Sequence, residues 1–270
     1  MNELDIIGLG MWSERFANWE EFSATLSTRS WPSDAALQSG LIPPRERRRA
    51  PRFVKIAVEV MHQAREMAAV NPANIATVFS SAMGDMQITD YLCRTLATSP
   101  HAVSPTRFHN LIHNAPVGYW SIATKSHAPA NAISAYAHSA PMAFLEAAIQ
   151  ASEERVPVLV VTQEVDAPLP LKASCPSELP FSAAILLAPP GSAASSVASV
   201  RFSVTAETVG WPELPEDLRE SLADNFGARL LPLFAAIATA GDSRANLDFP
   251  LSDDLCLSLS LTRAHGAEDA

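Results

Sequence analysis

Apolar positions along this chain follow two periods. Phe53, Ile56, Ala57, Val60, Met61, Ala64, Met67 and Ala68 recur every three or four residues and predict a long helix with one buried face. Trp19, Phe22 and Leu26 predict a shorter helix, and Met86–Leu96 another. Asp5–Gly10 reads as a short buried strand leading into a glycine turn, and Ile75–Phe79 as a strand by length and β-branched content. Asn131–Ala137 predicts a strand, Ser139–Ser152 a helix and Val156–Val165 a strand. Val158–Val161 is apolar without interruption, as in strands covered on both faces. This order makes a β-α-β unit, whose crossover should be right-handed. Phe181–Leu187 predicts a further buried strand, and Gly191–Ser199 a turn or linker. Val200, Phe202 and Val204 alternate with polar residues, as do Leu255, Leu257, Leu259 and Leu261, predicting half-buried strands. Asp217–Thr239 predicts one long helix, and residues 265–270 a frayed end.

Composition narrows the function classes. The 270 residues are 48% hydrophobic and 18% charged, enough for one large domain or two small ones with a substantial core. A net charge of −10 argues against a general nucleic-acid binder. No apolar run approaches the length of a membrane span, and the first residues carry no basic stretch of the kind that opens a signal peptide. Cys93, Cys175 and Cys256 are widely spaced, which predicts free thiols in a cytoplasmic protein. His109, His113 and His127 lack metal-ligand spacing and read as structural or surface residues; neither a metal nor a cofactor is expected.

The chemistry concentrates between Asn110 and Ala147. The segment Asn114-Ala-Pro-Val-Gly118 is followed by Ile133-Ser-Ala-Tyr136-Ala137 and by a helical run containing Glu146-Ala147. This arrangement resembles the β-ketoacyl synthases, where an Ile-Thr-Ala-Ala-Cys strand runs into a helix ending Glu-Ala. Without gaps, Ala137 falls on the nucleophilic Cys, and Asn114 and Gly118 fall on the Asn and Gly of a Pro-Asn-x-x-x-Gly segment. In that family the helix N-terminus lowers the thiol pKa and the thiolate accepts the acyl group. Alanine cannot do this. Further matches are the basic segment Ile42–Phe53, the loop Ser104–Phe108 and the strand Phe181–Leu187, so the resemblance spans roughly residues 1–188.

The resemblance implies a thiolase-like α/β fold, essentially its N-terminal half, with a mixed sheet covered by helices. The whole chain would then form one domain, residues 189–270 being a divergent extension packed on the 1–188 core. Ketosynthases draw two active-site histidines from their second half; only about 80 residues follow Leu187 here, and only His265 lies among them. The pattern resembles truncated chain-length factors of aryl-polyene-type systems, which pair with a complete ketosynthase. The implied function is non-catalytic: heterodimerisation, by laying Asn131–Tyr136 antiparallel on its counterpart, and shaping of the partner's acyl tunnel. An obligate interface above about 2,000 Å² follows.

The same resemblance assigns site residues. Arg107 and Phe108 fall on positions that wall off the acyl pocket, with Leu111, Ile112, Asn114, Ile133 and Tyr136 on the same interface; the alternative for Phe108, Leu111 and Ile112 is ordinary core packing. Arg45, Arg48 and Arg49 fall where ketosynthases contact the acidic acyl carrier protein, a role either functional or vestigial here. Ser139 as a hydrolase nucleophile lacks the flanking glycines of a nucleophile elbow and serves better as support for the helix start. Two rivals stand beside the subunit: an acyl-thioester decarboxylase or hydrolase acting alone, and a homodimeric scaffold for acyl carrier protein.

Overall fold

One eight-stranded sheet organises the computed structural model, which describes residues 2–29, 31, 35–38, 40–239 and 244–263. The frayed end expected at 265–270 lies outside the described residues, as does His265. The strands are β1 (Asn2–Ser13), β2 (Ala76–Ser80), β3 (Ala130–Ile133), β4 (Val158–Glu164), β5 (Phe181–Ala188), β6 (Ala198–Thr205), β7 (Ala245–Pro250) and β8 (Cys256–Arg263). Their order is β3-β2-β4-β5-β1-β6-β8-β7. β2 runs parallel to β3 and β4, and every other pairing is antiparallel, so the sheet is mixed.

The described helices are α1 (Trp19–Thr28), α2 (Pro44–Arg47), α3 (Arg52–Ala68), α4 (Met86–Thr98), α5 (Pro105–His109), α6 (Ala115–Thr124), α7 (Ser139–Glu154), α8 (Glu216–Leu222) and α9 (Leu231–Thr239). None is long and apolar enough to cross a membrane. The alternation of side chains along each strand divides the core between the two faces. Leu159 and Val161 of β4 pack with α3 and α6 on one face. Val158 and Val160 pack with α7, α8 and α9 on the other.

The glycines of β1 make no turn. The strand continues through both to Ser13, and α3 rests its backbone against them. A Cβ at Gly8 would lie 2.0 Å from the Ala64 carbonyl oxygen, and one at Gly10 2.0 Å from that of Val60. Glycine here permits helix–strand contact.

The predicted helix over Asp217–Thr239 is divided into α8, a 3₁₀ turn at Phe226–Leu230, and α9. Asn225 starts the break: its side chain accepts from the Ala228 N–H and thereby competes with helical bonding. Gly227 lies so close to the Gln163–Glu164 backbone that a Cβ would stand 2.8 Å from the Glu164 nitrogen. Tertiary contact therefore overrides the apolar periodicity. β7, unmarked in the sequence because Asp248 interrupts its apolar positions, closes the far edge beside β8.

Candidate functional site

Residue 137 stands at the strand-to-helix corner. The predicted strand Asn131–Ala137 is shorter than expected, because β3 stops at Ile133 and a 3₁₀ turn, Tyr136–His138, leads into α7. Ser134 donates its hydroxyl to the Ala82 carbonyl (2.9 Å), which ties the departing chain to the loop after β2. Tyr136 has φ of 51°, an uncommon conformation for an aromatic residue that its surroundings must hold. Ser139 closes the bend: its Oγ accepts from the Ala135 N–H (2.8 Å) and donates to the Tyr136 carbonyl (2.7 Å). That hydroxyl is engaged on both sides, as a support of the helix start rather than a nucleophile. The corner geometry is present, and Ala137 offers it no reactive group.

β3 forms one edge of the sheet and carries no charged residue over Ala130–Ile133. Ala130, Asn131 and Ala132 are exposed, and Ile133 is partly so. The Thr77 N–H donates to the Pro129 carbonyl (3.0 Å) and the Ser81 N–H to the Ile133 carbonyl (3.4 Å). By alternation, the backbone groups of Ala130 and Ala132 point outward, with no strand beside them among the described residues.

Phe108 is 62% exposed, Ile112 52% and Tyr136 53%, which excludes the core-packing alternative for Phe108 and Ile112. Leu111 is exposed as well. The segment Ser104–Phe108, expected as a loop, runs into the short helix α5 from Pro105 on, and Ser104 caps that single turn by accepting from the Arg107 N–H. Phe108 and Leu111, with Leu92, Leu96 and Val103, line a cavity of about 420 Å³ whose walls are almost wholly apolar. Arg107 is exposed, its guanidinium 4.0 Å from the centre of the Tyr91 ring. Asn114 is exposed at the start of α6 without capping it through its side chain.

Arg45, Arg48 and Arg49 lie on and just after α2, exposed, and form no ion pair among the described residues. Arg52 does pair, with Glu14, and also lies over Trp12. Arg49 and His109 rim a cavity of about 500 Å³ that reaches Ile112, Tyr119 and Ile122. Asn110, not singled out by the sequence, joins these regions. It is buried, donates to the Arg49 carbonyl (3.2 Å) and accepts from the Tyr119 hydroxyl (3.1 Å).

A second residue not anticipated is Glu164, buried at the end of β4. The Ala82 N–H donates to its carboxylate, yet burial dominates and pushes its pKa up to about 8. The unfolded chain releases this proton near pH 4.5, so the folded form alone holds it between about pH 4.5 and 8. Stability therefore falls as pH rises through that window, by an amount on the order of a few kcal/mol. Glu164→Gln should flatten this slope in thermal melts between pH 5 and pH 8. Glu59 and Asp85, raised by burial as well, tilt the parent and the variant alike. Equal slopes in the two proteins would contradict the assignment.

A mixed sheet between helical layers, with a strand-to-helix corner at its edge, defines a ketosynthase-like half of the thiolase fold. The family model of the β-ketoacyl synthase N-terminal domain matches residues 18–217, and the chain belongs to that family. Among curated proteins no relative matches. Many solved structures share the fold, these three among them. The ketosynthase ApeO in complex with its chain length factor ApeC, from Xenorhabdus doucetiae, matches at 20% identity and TM-score 0.67, covering 96% of this chain and 100% of that one. The ishigamide ketosynthase/chain length factor matches at 15% identity and TM-score 0.73, covering 98% and 100%. AntDE:AntF, a type II polyketide acyl carrier protein in complex with its ketosynthase, matches at 12% identity and TM-score 0.75, also covering 98% and 100%.

Proposed function

We propose that this chain is a non-catalytic chain-length factor, a subunit that pairs with a complete β-ketoacyl synthase and shapes its acyl tunnel in polyene, polyketide or fatty-acid-type biosynthesis. One observation carries the proposal: the uncharged, unpaired edge of β3, with exposed Phe108, Leu111, Ile112 and Tyr136 on the surrounding elements. The opposite edge, β7, carries Asp248 and Pro250, both of which discourage strand addition. β3 has no such guard and is the edge a partner would extend, antiparallel to its own equivalent strand. The likeness to ketosynthase/chain length factor structures supports this role, as does the methyl group of Ala137 where condensation needs a thiolate.

In the pair, Claisen condensation belongs to the ketosynthase. Phe108, Leu111 and Ile112 bound the distal end of its tunnel, because a close-packed wall does not yield to another two-carbon unit without strain. Arg107, Asn114, Ile133 and Tyr136 belong to the same interface. Arg45, Arg48 and Arg49, lacking internal counter-charges, suit an acidic carrier protein. Residues 189–270 complete a single domain with the 1–188 core. The free thiols Cys93, Cys175 and Cys256 suit the cytoplasm.

Co-expression with a complete ketosynthase of the same organism tests the proposal. Phe108→Ala should leave the heterodimer intact and shift products towards longer chains, read by mass spectrometry of carrier-bound acyl groups. Unaltered product length, together with full ketosynthase activity when this chain is omitted, would refute it. A stable homodimer that ignores the ketosynthase would favour a scaffold, and thioester turnover by the purified chain would favour an enzyme.

A further inference from the structure

From Pro105 to Ile112 every residue except Asn110 is exposed, and no residue of α5 is buried. Cavities border this arm. One of about 590 Å³ reaches Arg107, one of about 500 Å³ reaches His109 and Ile112, and one of about 420 Å³ reaches Phe108 and Leu111. Close packing, which fixes side chains elsewhere in a domain, therefore does not fix this arm.

Polar contacts take the place of packing. Asn110 Nδ2 donates to the Arg49 carbonyl (3.2 Å), and its Oδ1 accepts from the Tyr119 hydroxyl (3.1 Å). One amide side chain thus joins the arm both to the basic segment before α3 and to α6. His113, just beyond, donates through Nε2 to the Ser81 carbonyl (2.8 Å). At the other end the Tyr91 hydroxyl accepts from the Ser104 N–H (3.3 Å), and Arg107 lies over the Tyr91 ring. Asn110 is the pin that stands midway along the chain between Phe108 and Ile112. A buried amide stripped of its partners carries the full cost of desolvation, so both bonds hold it firmly.

We propose that Asn110 is a positioning residue that sets where the tunnel wall stands, by holding Phe108 and Ile112 at a fixed place relative to α6 and the basic segment. The inference rests on the reading of Phe108 and Ile112 as the distal wall of the acyl tunnel. It goes beyond that reading in one respect: the bulk of Phe108 limits a growing chain only while the arm that carries it is held still. Loss of the pin lets the wall take several positions, so product lengths spread. Loss of the Phe108 ring instead shifts them in one direction.

Amide hydrogen exchange on the chain alone tests the pin, using Asn110→Ala and Tyr119→Phe and reading peptides from the arm and from β4 by mass spectrometry. Three arm amides report directly: Phe108 donates to the Ser104 carbonyl, Asn110 to that of Thr106 and Leu111 to that of Phe108. Asn110→Ala should speed exchange in the arm by about 10-fold or more, with Tyr119→Phe between it and the parent and β4 unchanged. Equal arm exchange in the parent and Asn110→Ala overturns the inference. So does a rise of the same size in β4, which would make Asn110 a support of the whole fold. Co-expressed with a complete ketosynthase, Asn110→Ala should broaden the range of product lengths, and Phe108→Ala should lengthen the product. A longer product from Phe108→Ala beside an unaltered range from Asn110→Ala overturns the inference and leaves the chain-length reading standing. Product length indifferent to both variants removes that reading and the pin's role in it, and the exchange comparison then still decides whether Asn110 holds the arm.

Discussion

Ala132→Pro should leave the chain folded and abolish the proposed pairing with a ketosynthase. Ala132 lies in β3, whose pairing with β2 runs through the carbonyls of Pro129 and Ile133. The Ala132 N–H therefore points away from β2, and its removal costs the sheet no internal hydrogen bond. An edge strand tolerates such a proline, but a strand added from outside does not, because the proline withdraws a donor and presents its ring there. Heterodimer affinity should fall by about 100-fold or more, equivalent to about 3 kcal/mol. Pull-down with a tagged ketosynthase measures the loss, and an unchanged melting curve shows that the fold survives. A heterodimer that persists with proline at 132 would mean that β3 is not the joining edge.

Gly10→Ala should leave no stable protein. Its Cβ would lie 2.0 Å from the Val60 carbonyl oxygen, 2.9 Å from that carbonyl carbon and 3.1 Å from the Ala64 nitrogen. All three are backbone atoms of α3, so no side chain can rotate away. Relief requires the helix to lift off the sheet, yet Val60 and Ala64 are fully buried. The loss should exceed about 4 kcal/mol, a large part of the stability of an ordinary domain. Gly118→Ala is the control: that glycine is exposed within α6, and an added methyl would have nothing within 4 Å. Soluble yield and thermal denaturation distinguish the two. A cooperative melt for Gly10→Ala near that of the parent would disprove the close approach.

Several elements were legible residue by residue. The period of three to four from Phe53 to Ala68 predicts α3, and the apolar run Val158–Val161 predicts a strand covered on both faces, as β4 is. The gapless spacing from Asn114 to Ala147 places Ala137 at a strand-to-helix corner, where it lies. Other features were misread or invisible for a common reason. Gly8 and Gly10 resemble a turn in isolation, and only the α3 backbone reveals them as a contact surface. Asp217–Thr239 has helical spacing, and only the demand for close contact between Gly227 and the end of β4 breaks it. Glu164 looks like an ordinary charged strand end until Asn225, Gly227 and the loop after β2 enclose it.

By itself the sequence determined which residues turn inward, the type of most elements, and that position 137 carries no nucleophilic group. Periodicity is a local property, and it suffices for these. Only the tertiary structure decided that β3 stands unpaired at the rim among the described residues, that Phe108 and Ile112 face outward, and that the rings of Trp211 and Phe226 pack on the two neighbours of Ala137. Each of these depends on which distant segment comes to lie opposite, and spacing along the chain does not encode that partner.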